Sequence, residues 1–382
     1  MLFRSSYNID AAALGSQVQV IGETVIETGS TQFDLNLKQL SLKKIASLIP
    51  DKSVKLKTGE VTSNLTVNFP GFAIPNATQG KGNLNLQQLK AIISPLKQPL
   101  KANLQLNLQG QTIKIEKGEA SLGKVAAKLQ GTVGWREGYN LQLALKPFRL
   151  EDLSTILPLS LPVKVAGEVE SQLNLTGFLA QPQIKGTFKN TKDLLIEKTL
   201  FKEVSADFQT NLERATLTKL QIIPTAGGQL TGSGSIKIGL EQALKHKKDL
   251  NWEKMPFSLK LDGQLPAGQL LTLYYQLPTE FALGNLATQV QISGTISKPK
   301  ANLKWQLSKA KLREAEGIQG QGEILLSDNN FLLRNTTITA NQGTVDLTGN
   351  GSLVSKKWQA NLWGSSLKLT PFLASEIGRA HV

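Results

Sequence analysis

Residues 167–175 read Gly-Glu-Val-Glu-Ser-Gln-Leu-Asn-Leu, and the last four alternate polar and apolar side chains. Because successive side chains of a β-strand point to opposite faces of the sheet, this alternation predicts a strand with one apolar and one polar face. The same pattern recurs at residues 104–108, 141–145, 257–261 and 290–292. The chain is therefore predicted to be mostly β, with antiparallel strands covered on one face.

The segment at 167–175 is also one copy of a repeat. A close copy, Gly-Glu-Val-Thr-Ser-Asn-Leu-Thr-Val, occupies residues 59–67, which is 167 − 59 = 108 residues earlier. A weaker copy occupies residues 284–292, which is 284 − 167 = 117 residues later. Self-similarity at such a period indicates an array of structural units that lacks a single active site.

The repeat predicts how the chain is divided. The predicted parts are 1–41 as the end of a preceding unit, 42–149, 150–266 and 267–368 as three repeat units, and 369–376 as the start of a truncated fourth. Residues 377–382, Ile-Gly-Arg-Ala-His-Val, match the translation of a common sequencing adapter and are interpreted as foreign to the protein. Residues 1–6 lack the apolar stretch of a signal peptide. We therefore interpret the chain as an internal fragment of a longer protein.

Each repeat unit is predicted to open with a short amphipathic helix. Residues 42–50 carry apolar side chains three and four positions apart and end in Pro50, and residues 150–158 repeat this arrangement. That spacing followed by a proline is typical of a one-sided helix that stops at the proline. Corresponding helices are predicted near residues 270–273 and 369–372.

Glycines are predicted to mark the breaks between strands. The positions are Gly110, Gly131, Gly177, Gly232, Gly234, Gly294, Gly322, Gly349 and Gly351. The pairs within residues 231–235 and 320–323 are interpreted as strand entries or bulges. No amphipathic helix follows them to present its N-terminus to a phosphate, so nucleotide binding is not predicted.

Composition limits the classes of function. The net charge is +14, and the only dense basic run is at residues 245–248. Three interpretations of this charge stay open: a solvated polar face whose lysines discourage edge pairing, attraction to anionic lipid surfaces, and nucleic-acid binding. Asn and Gln, and not exposed aromatics, alternate with the apolar residues, which weighs against a nucleic-acid platform.

Catalytic groups are sparse, and the chain is not predicted to be an enzyme. It has no cysteine and two histidines, His246 and His381, which are too few for a His-based triad or a metal cluster. The acidic pairs Glu151 with Asp152 and Glu314 with Glu316 are interpreted as solvated charges. No cofactor and no metal ion are predicted. No segment has the roughly 18 consecutive apolar residues of a transmembrane helix.

Four motifs carry a resemblance to a known family. They are Gly-Glu-Val-x-Ser-x-Leu-x-Leu-Thr-Gly at 167–177, Gln-Pro-Gln-Ile-Lys-Gly at 181–186, Phe-Lys-Glu-Val-Ser-Ala-Asp-Phe at 201–208 and Gly-Gly-Gln-Leu-Thr-Gly-Ser-Gly at 227–234. Together with the preceding short helix they resemble the repeat region of TamB-type translocation and assembly proteins. This family belongs to the AsmA-like group of bridge-like lipid-transfer proteins, and the detail is similar to its cyanobacterial and chloroplast branch. The resemblance spans about residues 16–374.

The resemblance implies a fold and a function. Such proteins are elongated, curled β-sheets that form an open hydrophobic trough in the periplasm between inner and outer membranes. The chain is then expected to carry phospholipid along the trough and to support outer-membrane biogenesis, protein secretion and envelope-protein assembly. The family's inner-membrane anchor and the C-terminal domain that contacts an outer-membrane barrel partner are both expected to lie outside this fragment.

The alternating apolar residues are the candidate lipid-contacting side chains. They are Leu65, Val67, Leu104, Leu106, Leu173, Leu175, Ile184, Phe188, Leu259, Leu261, Val290, Ile292, Leu303 and Trp305. The alternative is a closed β-solenoid, a structural or adhesive segment of a secreted surface protein, in which these same residues would form a self-filled core.

Overall fold

The computed structural model describes residues 3–13, 16–46, 54–93, 96–156, 164–239, 251–272 and 280–368. Most of these residues are in β-strands. Close packing divides the chain into two units, one of residues 1–162 and 167–191 and the other of residues 163–166 and 192–382. Each unit is described by itself. The predicted division into three repeat units stays a prediction.

Twenty-four strands make up the described part of the chain. In chain order they are β1 (Arg4–Ala13), β2 (Ser16–Val25), β3 (Ser30–Ser41), β4 (Val54–Phe69), β5 (Gln79–Ile93), β6 (Leu100–Gly110), β7 (Thr112–Leu122), β8 (Val125–Gly134), β9 (Gly138–Arg149), β10 (Val165–Ala166), β11 (Glu168–Gly177), β12 (Gln183–Asn190), β13 (Leu194–Ile196), β14 (Thr199–Thr210), β15 (Arg214–Pro224), β16 (Gln229–Lys237), β17 (Pro256–Pro266), β18 (Phe281–Ala282), β19 (Asn285–Thr295), β20 (Lys298–Leu312), β21 (Ala315–Ser327), β22 (Asn330–Ala340), β23 (Gly343–Ser352) and β24 (Trp358–Ser365).

Neighbouring strands pair in chain order and in antiparallel fashion. In the first unit β1 to β9 pair successively, β9 pairs with β11, and β11 pairs with β12. In the second unit β13 to β17 pair successively, β17 pairs with β19, and β19 to β24 pair successively. Among the described strands, β1 pairs only with β2 and β24 only with β23. The predicted mostly-β fold, an open antiparallel sheet, is confirmed.

Short helices stand where the repeat predicts them. They are α1 (Leu42–Ile45), α2 (Leu153–Ile156), which continues the 3-10 turn Leu150–Asp152, and α3 (Ala267–Leu271). Two further 3-10 turns are Pro75–Ala77 and Trp252–Lys254. Each helix is about one turn long, and the predicted helix at 369–372 lies outside the described residues.

The first two helices lie at one end of the strands of the first unit. A Cβ on Gly59 of β4 would stand 2.8 Å from Leu42 Cδ1, so α1 packs on this strand at its glycine. Ile156 of α2 is buried, and its carbonyl oxygen accepts a hydrogen bond of 2.9 Å from the Lys97 backbone N–H. We call this end of the first unit the helix end and the other the turn end.

Bulges keep the apolar side chains on one face. Leu37 pairs with Ser63 and Leu40 with Val61, although positions 37 and 40 of a regular strand point to opposite faces. The extra residue is Gln39, which has φ 55°. Placing one residue in the left-handed region restores the alternation, as a β-bulge does. Gln88, Lys309 and Asn335 stand at further register shifts with positive φ.

Most of the glycines predicted as breaks lie inside strands, so that part of the prediction is wrong. Only Gly110 and Gly177 end a strand. The glycines within strands are Gly131, Gly232, Gly234, Gly294, Gly322, Gly349 and Gly351. The bulges predicted at 320–323 and 231–235 are found on the neighbouring strands instead. Opposite Gln321 and Glu323 the extra residue is on β22, between Arg334 and Thr337, and opposite Gly232 and Gly234 it is on β15, between Leu217 and Leu220.

Several of these interior glycines leave room for the side chains of residues on neighbouring strands. The side chain of Leu261 lies where a Cβ on its cross-strand partner Gly232 would stand, and the Trp305 ring lies over Gly320 and Gly322. A sequence pattern cannot distinguish such a glycine from a strand end, because the reason for it is a side chain on another strand.

We expect Gly263→Ala to destabilise the second unit. An added Cβ would collide with the backbone carbonyl oxygen of Gln229, a group that cannot move without distorting β16. The free energy of unfolding should fall by about 1–3 kcal/mol, measured by urea denaturation. Gly364→Ala is the matched control, since the nearest atom to its Cβ would be 3.9 Å away. Equal stability of the two variants would contradict the packing described.

Candidate functional site

The candidate site is the apolar face of the sheet, which the strand register assembles from sequence-distant residues. Directly paired residues point to the same side of a sheet. In the first unit one cross-strand row contains Leu37, Ser63, Leu84, Leu106, Ile115, Gly131, Leu141, Leu175 and Ile184. This row crosses nine strands. All eight candidates of the first unit, from Leu65 to Phe188, lie on this face.

The second unit has a face of the same kind. One of its rows contains Leu220, Gly232, Leu261, Val290, Leu303, Ile324, Leu333, Gly349 and Ala360. The remaining candidates, Leu259, Ile292 and Trp305, occupy neighbouring rows on the same side. Alternation within each strand predicts that these residues share one face of their own strand. Only the strand register shows that the apolar faces of neighbouring strands lie on the same side of the sheet.

Both apolar faces are free of charge. Among the register-paired residues that the structure describes, neither face carries an Asp, Glu, Lys, Arg or His side chain. Hydroxyl groups occur at a few positions, among them Ser63, Ser171 and Thr336, each of which is buried. A ligand on this surface would meet apolar groups almost everywhere.

The candidates are only partly covered. All fourteen are half-buried, and none is fully buried. Side chains between two packed layers are normally removed from water altogether. Fully buried members of the apolar faces occur in both units. In the first they include Val61, Ala102, Ile115 and Leu141, and in the second Ala310, Ile318 and Ala340. Most of the face is thus a surface shielded mainly by its own neighbouring side chains.

The large side chain of Trp305 is accommodated on the apolar face by two glycines of the neighbouring strand. Its ring carbons lie 3.0–3.3 Å from the Cβ positions of Gly320 and Gly322, so the indole lies across the backbone of β21. The buried Trp305 Nε1 has no hydrogen-bond partner in the described part of the chain. The glycine pair that the sequence suggests as a bulge instead makes room for a large apolar ring.

The opposite face is polar. One row in the second unit contains Asp262, Gln289, Lys304, Glu323 and Arg334. A groove of about 560 Å³ in the second unit and one of about 790 Å³ in the first open on this polar side. Trp305 and Leu173, whose side chains belong to the apolar face, also line these grooves, while most of the other lining residues belong to the polar face.

Glu323 is the most enclosed charge of the polar face. Its carboxylate accepts hydrogen bonds of 2.8 Å from Arg334 Nε and 2.8 Å from Asn302 Nδ2. The hydrogen bond from Arg334, followed by that from Asn302, holds the pKa of Glu323 below its usual value. The arrangement stabilises a carboxylate and gives no sign of a group prepared for proton transfer.

Three of the four residues in the two acidic pairs form ion pairs. Glu151 contacts Arg149 at 2.7 Å and Asp152 contacts Lys124 at 3.3 Å. Partial burial alone would raise the pKa of Glu151, but hydrogen bonds from Arg149 and backbone N–H groups outweigh it and lower the pKa. Glu316 contacts Lys311 at 2.6 Å. Both histidines lie outside the described residues, and within those residues no group of three metal-ligating side chains is assembled.

The turn end of the first unit carries apolar side chains that sequence analysis did not single out. Phe3, Ile26, Phe72, Ile74, Trp135 and Phe178 are all strongly exposed there. Phe72 also contacts Phe69 edge-on, with ring centroids 5.7 Å apart. The sequence gives little indication that these residues form a group, because they belong to separate hairpins. Only strand pairing brings them to the same end of the sheet. They border the apolar face at its turn end.

We expect the stabilising effect of Glu323 to depend on pH. Because its pKa is lower in the folded protein, the carboxylate stabilises the fold at neutral pH, and this contribution is lost as pH falls through the folded pKa. Glu323→Gln should therefore lower the urea midpoint at pH 7 and have little effect near pH 3. Glu316→Gln, which removes the acid of a more exposed ion pair, is the control and should have a smaller effect at pH 7. A Glu323→Gln effect of equal size at both pH values would refute the electrostatic explanation.

No helix in the described ranges is long and apolar enough to cross a membrane. Comparison of the chain with protein-family models, curated proteins and solved structures found no match. The apolar face and the sequence motifs are thus the grounds on which a function is proposed.

Proposed function

We propose that the chain is part of an envelope-spanning bridge that carries phospholipid along its apolar face between inner and outer membranes. The observation that carries the proposal is the face itself, which is uncharged, extends across many strands in each unit and is only half-buried. A bare apolar surface of this extent is unfavourable in water and marks a binding site. Acyl chains would cover it at a gain of roughly 0.8 kcal/mol per buried methylene.

The chemistry of the two faces suits an amphiphile. The apolar face offers contact to chains of variable length without demanding a fixed hydrogen-bond pattern. Because it has no charged groups among its described, register-paired residues, a phosphate head group would find no partner there and would stay in water at the edge. This division suits lipids that move along the surface better than a ligand held at one point.

Further parts of the proposal rest on the resemblance to TamB-type proteins. They are the location in the periplasm, an anchor in the inner membrane, an outer-membrane barrel partner reached through a C-terminal domain, and support of envelope-protein assembly. The role proposed for the chain is transport and scaffolding and not catalysis.

The alternative of a closed solenoid has less support. A solenoid closes its core by stacking successive coils, whereas here consecutive strands pair antiparallel and the sheet is open. Half-buried candidates also differ from the enclosed residues of a self-filled core. An adhesive role for an open sheet would require a protein or glycan ligand on one of its faces.

The direct test is native mass spectrometry with lipid extraction on the chain produced in a bacterial periplasm. We expect several phospholipids per chain. A lipid-free, monodisperse protein would count against transport and would favour a scaffolding or adhesive role.

Charge placed on the apolar face should abolish lipid loading while the sheet persists. We expect Leu175→Asp and Ile292→Asp to reduce the lipid recovered per chain strongly, because a carboxylate cannot be covered by acyl chains. Both side chains are half-buried, so the new charge can stay hydrated and the strand signal in circular dichroism should remain.

The controls are Asn174→Asp and Gln291→Glu, which add the same charge on adjacent residues that point to the polar face. They should retain lipid. Unfolding of the apolar-face variants would show a packed core instead, and lipid loss in all four variants would show a general effect of charge.

A further inference from the structure

A cluster of lysines lies at the helix end of the first unit, on strands β3 to β6 and on α1. It consists of Lys38, Lys43, Lys44, Lys55, Lys57, Lys90 and Lys101, all exposed. The first five follow closely in sequence. Lys90 and Lys101 join them only through the strand register, in which they are direct cross-strand partners. We call this set the lysine cluster.

The cluster is not neutralised by the protein. None of its seven members takes part in an ion pair within the described part of the chain. Among the described residues from 38 to 60 and from 86 to 103, Glu60 is the only acidic one. On the next strand, β7, Glu119 lies opposite Lys128 of β8 and Asn103 of β6.

The strand pairing holds like charges together. Directly opposite residues in an antiparallel pair have Cβ atoms about 5 Å apart, and like charges at this position repel. Lys90 and Lys101 are directly opposite each other. On its other side Lys90 is opposite Thr58, an uncharged residue that cannot neutralise it. At physiological ionic strength charges interact over about 8 Å, so the lysines act on an approaching anion together.

Four of the lysines face the same way. Lys38, Lys55, Lys90 and Lys101 each adjoin a residue of the apolar face and therefore point to the polar side. Lys43 and Lys44 extend the positive surface onto α1. The cluster thus forms a basic area at the helix end, and its four polar-side lysines lie on the side of the sheet that does not carry the proposed lipid track.

We propose that the lysine cluster docks the first unit onto the anionic head groups of a membrane surface. A bilayer with anionic lipids offers many mobile negative charges, and each lysine near such a surface adds to the attraction. The cluster has lysine and no arginine, so it provides diffuse attraction and not the bidentate recognition of a single phosphate. It also has no aromatic residue on which a nucleic-acid base could stack. These features favour a lipid surface over a nucleic acid.

This role goes beyond lipid transport and does not depend on it. Docking would use the polar side and would bring the helix end of the first unit to a bilayer, whether or not acyl chains occupy the other face. The two proposals can therefore fail separately, since one is measured by bound lipid and the other by recruitment to vesicles.

The test is co-flotation of the full chain with phosphatidylcholine vesicles, with and without phosphatidylglycerol. We expect recruitment only to the vesicles that contain phosphatidylglycerol, and release at high sodium chloride. Replacing Lys55, Lys90 and Lys101 together by Gln should weaken recruitment by roughly tenfold or more. Circular dichroism checks that the triple variant is folded.

The matched control replaces Lys81, Lys114 and Lys185 by Gln, which are exposed on the polar side of the same unit. Both triple variants have a net charge of 14 − 3 = +11. The control should keep most of the recruitment. Equal losses would show that overall charge and not the cluster is responsible. Failure to float with anionic vesicles, combined with binding of single-stranded DNA through the same lysines, would overturn the assignment to lipid.

Discussion

The two-residue period of the β-strand is the constraint on which this structure depends. Because each strand alternates its side chains between two faces, a register error of one residue would move a whole apolar row to the polar side. In both units the rows stay aligned over many strands. The consequence is a sheet that separates charge by side. Among the described, register-paired residues one face is mostly leucine, isoleucine, valine and glycine, and the charged side chains lie on the other.

Bulges and glycines are what make this alignment hold. Long strands such as β4, β5 and β20 cannot pair over their full length at constant register when their neighbours differ in length and twist. An extra residue with positive φ, such as Gln39 or Lys309, absorbs the mismatch and returns the following residues to their faces. Glycines on the apolar face supply the space that Trp305 and several leucines occupy. Neither device adds a polar group to that face.

The separation of faces links stability to the proposed function. A conventional domain would cover its apolar face with a second layer, and its interior would then be too well filled to take a ligand. Here burial is complete at some positions of the face, such as Val61, Ala102 and Leu141, and partial at all fourteen candidate lipid-contacting residues. The ion pairs of Glu323 with Arg334 and of Lys189 with Glu170 lie on the polar face. Ligand contact on one face and electrostatic contact on the other can therefore operate independently.

Much of the fold follows from the sequence, since alternation is a local property and each strand displays it within five or six residues. The fold class, the positions of the one-turn helices and the membership of Leu65, Leu175 or Ile292 in an apolar face are all of this kind. What tertiary structure decided depends on register, which joins residues far apart in the chain. It placed seven predicted glycine breaks inside strands, where Gly232 and Gly322 leave space for neighbouring side chains. It also placed Lys90 beside Lys101, and gathered Phe3, Phe72 and Trp135 at one end of the strands. Such neighbours are fixed by hydrogen bonding between strands, and no periodicity within a strand contains that information.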